Sequence, residues 1–254
     1  MDIKGKAAIV TGSATGLGRS TALMLAERGC NVVVNYSRSD NEARDTAREV
    51  EARGAEALVV QADVSDDAAC RHMVQQALDR WGRLDVLVNN AGTTVFVPHQ
   101  NLEALTGDDW DRIWSVNVKG TFFMTRAAAP ALKQSGQGAV VNISSTASLR
   151  GGGSSIPYGA SKAALNNLTI SLARVLAPEV RVNCVAPGFI DTRWLANGLG
   201  ERFEAVREAA RRNTPLQDAG SPEHMAQVVL SVITGMDWVT GQTIVADGGA
   251  SFRM

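Results

Sequence analysis

Tyr158 and Lys162 stand four residues apart, so a helix carrying both presents a phenol and an ammonium on one side. Ser145 lies thirteen residues before the tyrosine, and Asn117 falls inside an earlier amphipathic stretch. Transfer of a hydride to a carbonyl leaves an alkoxide-like oxygen that must gain a proton at neutral pH. A phenol titrates near ~10 when unperturbed, too high to exchange protons in both directions. A neighbouring ammonium favours phenolate, which makes Tyr158 the expected acid for reduction and base for oxidation. Ser145 is placed to hydrogen-bond the substrate oxygen as charge develops on it, with Ser144 as its competitor. Taken singly, each residue has an ordinary alternative: an interface aromatic, a solvated lysine, a strand-end hydroxyl.

A second group of residues suits a dinucleotide. Gly12, Gly16 and Gly18 follow a short apolar run and open a helix, so backbone N–H groups can turn toward a diphosphate at the helix's positive end. The spacing is Gly-x-x-x-Gly-x-Gly rather than Gly-x-Gly-x-x-Gly, and an ordinary strand-to-helix turn is the alternative. No Gly-Lys-Ser/Thr ending follows, which argues against a nucleotide-hydrolysing loop. Where an acid would grip the ribose diol, the chain reads Tyr36-Ser37-Arg38. Arg38 and Ser37 suit a 2′-phosphate instead, so NADP(H) is expected over NAD(H). Asp40 is expected to be a helix N-terminal charge behind a Ser39 cap. Asp63-Val64 is placed either at the adenine or in a plain loop before a Ser65 cap.

These residues need strands to carry them. Residues 6–11, 31–35, 56–61, 84–89, 139–144, 180–185 and 243–246 read as strands, each but the last followed by a helical pattern. Val32-Val33-Val34 and Val86-Leu87-Val88 are apolar on both faces, as in central parallel strands covered on both sides. The expected fold is α/β, a Rossmann-type doubly wound parallel sheet of about seven strands with helices on both faces. Long helices are expected over 106–135 and 158–177. Ser39 with Glu42 and Thr106 with Asp109 have capping-box spacing, and Ser221-Pro222 reads as another helix start. With no repeat, linker or break in composition, residues 1–254 read as a single domain with a substrate loop at about 188–216.

Bulk composition narrows the function further. The 254 residues are 45% hydrophobic, enough for a large core. Twenty-five basic and 26 acidic side chains leave a net charge of −1, so no global field favours nucleic acid or a membrane. Cys30, Cys70 and Cys184 are scattered, as expected of reduced thiols, and three dispersed histidines form no metal-ligand pattern. No apolar run approaches the ~18 residues of a membrane span, and no targeting segment is seen, so a cytoplasmic protein is expected.

In the order Thr11 to Gly18, Asp63, Asn89 to Gly92, Asn117, Ser145, Tyr158, Lys162, Pro187-Gly188 and Thr192, the chain resembles the short-chain dehydrogenases/reductases. The resemblance covers residues 6–249 and includes 3-oxoacyl-[acyl-carrier-protein] reductases. It implies a catalytic set of Asn117, Ser145, Tyr158 and Lys162, with Asn117 holding a water beside the lysine. For the cofactor it implies Gly12, Ser13, Thr15, Gly16, Leu17 and Gly18, with Tyr36, Ser37, Arg38, Asp63 and Val64 on the adenosine side. Asn90, Ala91 and Gly92 stand behind the cofactor, Lys162 binds the nicotinamide ribose beside Tyr158, and Pro187, Gly188, Ile190 and Thr192 hold the carboxamide.

Substrate contacts are expected from 94–97, 151–156 and 189–199, where Phe96, Phe189 and Trp194 make an apolar rim suited to a ketone or secondary alcohol with a hydrophobic body. Carrier-dependent relatives place basic residues before the fifth and sixth strands; here those regions read Lys133-Gln134-Ser135-Gly136-Gln137 and Pro178-Glu179, leaving Arg126 or Arg174 as substitutes. The family also implies a homotetramer built on the two long helices and the 238–249 region. Rival readings are an NAD-linked sugar or polyol dehydrogenase and a regulator that senses NADP(H) without chemistry.

Overall fold

The computed structural model describes residues 1–252. Seven strands form one sheet: β1 (Ala7–Val10), β2 (Asn31–Tyr36), β3 (Ala57–Gln61), β4 (Val86–Asn89), β5 (Gly138–Ile143), β6 (Val180–Pro187) and β7 (Thr243–Ala246). Their order is β3-β2-β1-β4-β5-β6-β7, and every pairing is parallel. After β3 the chain crosses back to lay β4 on the other side of β1, which creates the topological switch point where such sheets open a crevice. The expected Rossmann-type doubly wound sheet is therefore present, its strand ends shifted by one or two residues.

Side-chain alternation decides which helix lies where. Ala8, Val10, Val32, Val34, Val86 and Val88 face α1 (Gly16–Glu27), α2 (Asp40–Glu51) and the helix at Pro222–Thr234. Ile9, Val33, Leu87, Val140 and Val182 face the opposite layer, formed by α3 (Asp67–Trp81) and by the helices at Thr121–Gln134 and Ile156–Leu176. All four residues of both β1 and β4 are buried. Each such Val or Leu contributes about 1.5–3 kcal/mol, so the central strands form the rigid floor of the switch point.

The stretch expected as one helix over 106–135 is interrupted. It comprises α4 (Gly107–Trp114), a π-helical segment at Ser115–Gly120 and α5 (Thr121–Gln134). At Gly120 an added Cβ would lie 2.7 Å from Val64 Cγ2, so the segment packs its backbone onto the β3–α3 loop. Next come α6 (Ala147–Arg150) and α7 (Ile156–Leu176). The loop region expected at 188–216 holds α8 (Arg193–Leu199) and α9 (Phe203–Asn213), and α10 is Pro222–Thr234.

Helix starts partly follow the expected punctuation. Thr106 and Asp109 form the anticipated capping box, and Ser221 caps α10 with His224 as its reciprocal partner. Ser39 makes no capping bond: Glu42 is drawn instead to Arg193, while Asp40 pairs with Arg44 and accepts from the Tyr36 hydroxyl. Ser65 is not the cap of α3 either. Its N–H and hydroxyl are both spent on Asp63 Oδ1, and Asp66 accepts the free N–H groups of Ala68 and Ala69.

Candidate active site

At the carboxyl ends of β1, β4, β5 and β6 lies a cleft of about 1130 Å³. Its first wall is the β1–α1 turn. Gly12, with φ +62°, donates its N–H to Asn35 Oδ1 at 3.0 Å, and an added Cβ there would press on Ala91 Cα at 3.0 Å. Asn90 clamps the turn from β4, donating Nδ2 to the carbonyls of Thr11 and Gly12 at 2.9 and 3.0 Å. Thr11 Oγ1 returns the contact by accepting from the N–H groups of Asn90 and Ala91. Thr15 precedes α1 without a side-chain capping bond, and α1 carries no acid in its first turn. Thr15, Gly16 and Leu17 line the cleft there, so a helix N-terminus free of side-chain anions opens into it. That cradle fits the diphosphate of a dinucleotide.

Of the positions named for the cofactor, all but three line this cleft. The other three, Ser13, Gly18 and Tyr36, stand behind the lining. Ser13 is fully buried, its hydroxyl donating to the Val10 carbonyl and accepting from Asn35 N, so it braces the turn from behind. Gly18 backs onto Asn90 Nδ2 and the Gly12 carbonyl, leaving no room for a side chain, and its part is close packing. Tyr36 is buried and directed to Asp40. Ser37 and Arg38, by contrast, stand on the cleft wall.

The second wall carries Ser145, Tyr158 and Lys162. Ser155 caps α7, accepting from Tyr158 N, and Pro157 occupies its first turn. Tyr158 is half-buried in the cleft; burial pushes its phenol above the ordinary 10, and a hydrogen bond with the Ser145 side chain draws it back down. That contact separates Ser145 from its neighbour, because the Ser144 hydroxyl donates instead to the Lys162 carbonyl at 3.1 Å. Lys162 is 4% exposed and donates Nζ to the Ile143 carbonyl at 2.7 Å. Burial lowers it from 10.5 to about 8. The sequence implied that the lysine's charge lowers the phenol, but in this structure Nζ lies 5.6 Å from the ring centroid and the serine is the group that lowers it.

Asn117 sits behind this wall rather than on it. Within the π-helical segment its Oδ1 accepts from Thr93 N at 2.8 Å, while Nδ2 donates to the Thr93 carbonyl and to Ser161 Oγ. Ser161 donates to the Tyr158 carbonyl, so the asparagine ties the tyrosine's turn of α7 to the loop after β4.

The substrate end has the expected aromatic rim. Trp194 of α8 lies 5.6 Å from the Phe96 ring and 6.2 Å from that of Tyr158. Arg193, within the expected 189–199 contacts, lines the cleft, as do Arg112 and Arg150, which sequence reasoning missed because nothing local marks them. Arg126, considered for a carrier, is bound to Asp67 at 2.7 Å and lies over the Phe122 and Phe123 rings. The three cysteines are buried and free. Among the described residues no group of three or more His, Cys, Asp or Glu could hold a metal ion, and no helix is long and apolar enough to cross a membrane.

A parallel sheet with a diphosphate cradle at its switch point, faced by a tyrosine and a lysine one turn apart, defines a dinucleotide-dependent oxidoreductase. The sequence family described as enoyl-(acyl carrier protein) reductase matches residues 12–251. Ketoacyl reductase 2 of the granaticin polyketide synthase of Streptomyces violaceoruber, as that protein is named, is 45% identical over 243 residues, spanning 96% of this chain and 95% of its own. The 3-oxoacyl-[acyl-carrier-protein] reductase of Staphylococcus aureus is 36% identical over 246 residues, covering 96% and 97%. Among solved structures, one described as a short-chain dehydrogenase/reductase from Burkholderia xenovorans superposes with a TM-score of 0.92 at 37% identity, covering 98% of each chain. The chain belongs to the short-chain dehydrogenase/reductase family. It is accordingly an NAD(P)-dependent oxidoreductase acting on CH–OH groups, with a small-molecule substrate.

Proposed function

We propose that this protein interconverts a ketone and a secondary alcohol with NADP(H), in the manner of a 3-oxoacyl reductase, with Tyr158 as the acid and base. The observation that carries the reading is that Ser145, Tyr158 and Lys162 line one wall of the same cleft whose other wall is the β1–α1 turn. The β1–α1 turn and Asn90 would hold the dinucleotide, with Ile190 and Thr192 on the side of α8. When bound, the reduced nicotinamide supplies a hydride equivalent to the carbonyl carbon. Ser145 and the Tyr158 hydroxyl bind and orient the substrate oxygen, and Tyr158 delivers its phenolic proton there. Lys162, held by the Ile143 carbonyl with Nζ 5.6 Å from the Tyr158 ring centroid, would offer its remaining N–H donors to the cofactor ribose. Asn117 keeps α7 in place against the Thr93 loop.

Preference for NADP(H) is supported by Arg38, which lines the cleft and makes no ion pair among the described residues, while Asp40 is spent on Tyr36 and Arg44. A cytoplasmic setting accords with three buried, free thiols. A homotetramer accords with the exposed apolar side chains Phe122, Ile170, Val175 and Trp238 on or near the helices the family uses for assembly.

The test is turnover of a panel of ketones and alcohols with NADPH and NADH. Tyr158→Phe should lower kcat by about 10²–10⁴-fold while cofactor affinity persists. Because burial keeps the phenol protonated, alcohol oxidation by the parent protein should rise with pH through the alkaline range. Undetectable turnover across the panel, together with no effect of Tyr158→Phe, overturns the proposal.

A further inference from the structure

The chain has a net charge of −1, yet its cleft is lined by five basic side chains, Arg38, Arg112, Arg150, Lys162 and Arg193, against one carboxylate, Asp63. Three of the five are accounted for. Arg38 stands at the end of β2, Lys162 beneath Tyr158, and Arg193 in an ion pair with Glu42 at 3.0 Å.

Arg112 and Arg150 are not. Arg112 projects from α4 to the Thr94 carbonyl at 3.5 Å and meets Asp109 only at 3.9 Å. Arg150, the last residue of α6, donates one N–H to the Ala250 carbonyl at 3.1 Å, and among the described residues it forms no ion pair. A guanidinium has five N–H donors, so most of the donors on both side chains are free for a ligand.

Both arginines belong to the segments around the reacting phenol, not to the β1–α1 turn. Thr94 shares a hydroxyl contact of 2.7 Å with Ser154. Arg150 leads into Gly151–Gly153, where a Cβ on Gly153 would lie 3.3 Å from the Tyr158 ring. Along a concave wall, two positive charges, one without an ion pair and the other only loosely paired, focus a field toward the cleft.

We propose that the substrate carries an anionic group, a carboxylate or a phosphate ester, besides its carbonyl, and that Arg112 and Arg150 bind it while the apolar body lies along Phe96 and Trp194. This rests on the oxidoreductase reading above and sharpens its substrate class. The two guanidiniums then act as specificity determinants, raising affinity for anionic ketones over neutral ones of the same shape.

The experiment uses carboxylated aryl ketones of two chain lengths, their methyl esters, and 4-acetylphenyl phosphate, with the parent protein and with Arg112→Gln, Arg150→Gln and the double variant. Both arginines are exposed, so the variants should fold. One charge-assisted contact predicts about a tenfold preference in kcat/KM for an anionic ketone over its ester. The preference should be carried by KM and should collapse toward unity in the double variant. The carboxylate and phosphate arms distinguish the two kinds of anion.

Equal handling of acid and ester, a preference for the ester, or an acid preference that survives in the double variant overturns the inference while leaving the oxidoreductase reading intact. Calorimetric binding of 4-acetylbenzoate against 4-acetylbenzamide to the NADP⁺-saturated protein decides the same question without turnover. Preference there for the amide, or none, also overturns it.

Discussion

Lys162 Nζ donates to the Ile143 carbonyl at 2.7 Å, anchoring a buried ammonium to the last residue of β5. Burial lowers this amine from 10.5 to about 8, so the folded chain releases the proton more readily than the unfolded one. Below about pH 8 both states carry the charge and the folded state bears the full cost of burying it. Between about pH 8 and 10.5 the unfolded chain binds more protons, and stability rises with pH. Lys162→Met should therefore stabilise the fold at pH 7 by about 1–3 kcal/mol while abolishing turnover. The gain over the parent should shrink toward pH 10. Urea unfolding of both proteins at the two pH values checks this, and a variant less stable at pH 7 contradicts it.

Asn117 spends both ends of its amide on Thr93 and on Ser161. Asn117→Ala strands the Thr93 N–H and carbonyl in a part-buried place, which costs about 1–3 kcal/mol. The Tyr158 turn loses its tie at the same time. The expected outcome is a fall in kcat at unchanged cofactor affinity, read by steady-state kinetics and by NADPH titration.

The elements were legible where one physical demand dominates. Val32 to Val34 and Val86 to Val88 are apolar at every position because helices cover both faces of the sheet. Tyr158 and Lys162 were legible because one helical turn brings them together without help from the rest of the chain. That Ser13, Gly18 and Tyr36 lie off the cleft lining was not legible, because adjacency to a turn does not say which side of it faces the cleft. Ser13 faces Val10 and Asn35, and Tyr36 faces Asp40. The π-helical segment escaped notice because its cause is tertiary: Asn117 reaches Thr93, and Gly120 must pass Val64. Arg112 and Arg150 reach the cleft from short helices whose return over the sheet is set by packing.

Arg38 offers a test of cofactor choice that leaves the proton chemistry untouched. A 2′-phosphate held by a guanidinium should lose about tenfold or more in affinity when the charge is removed. Arg38→Ala should thus lower the NADPH/NADH ratio of kcat/KM by that factor, mainly through the KM for NADPH. An unchanged ratio would support the NAD-linked alternative.

Gly198 packs directly against the Phe96 ring where α8 meets the cleft. A Cβ at Gly198 would overlap the Phe96 ring, and the same ring packs on Trp194, which in turn faces Tyr158. Alanine favours a helix over glycine by roughly 0.5–1 kcal/mol, so Gly198→Ala should leave α8 itself no weaker. The overlap must instead be relieved by moving α8 off Phe96, at about 1–3 kcal/mol. The ketone's KM should rise about tenfold while the KM for NADPH stays near that of the parent. Trp194, already 45% exposed, should shift its fluorescence to the red as it leaves the two rings. A variant with parental KM and emission would mean that α8 closes without Phe96, and that the aromatic rim does not shape the substrate end.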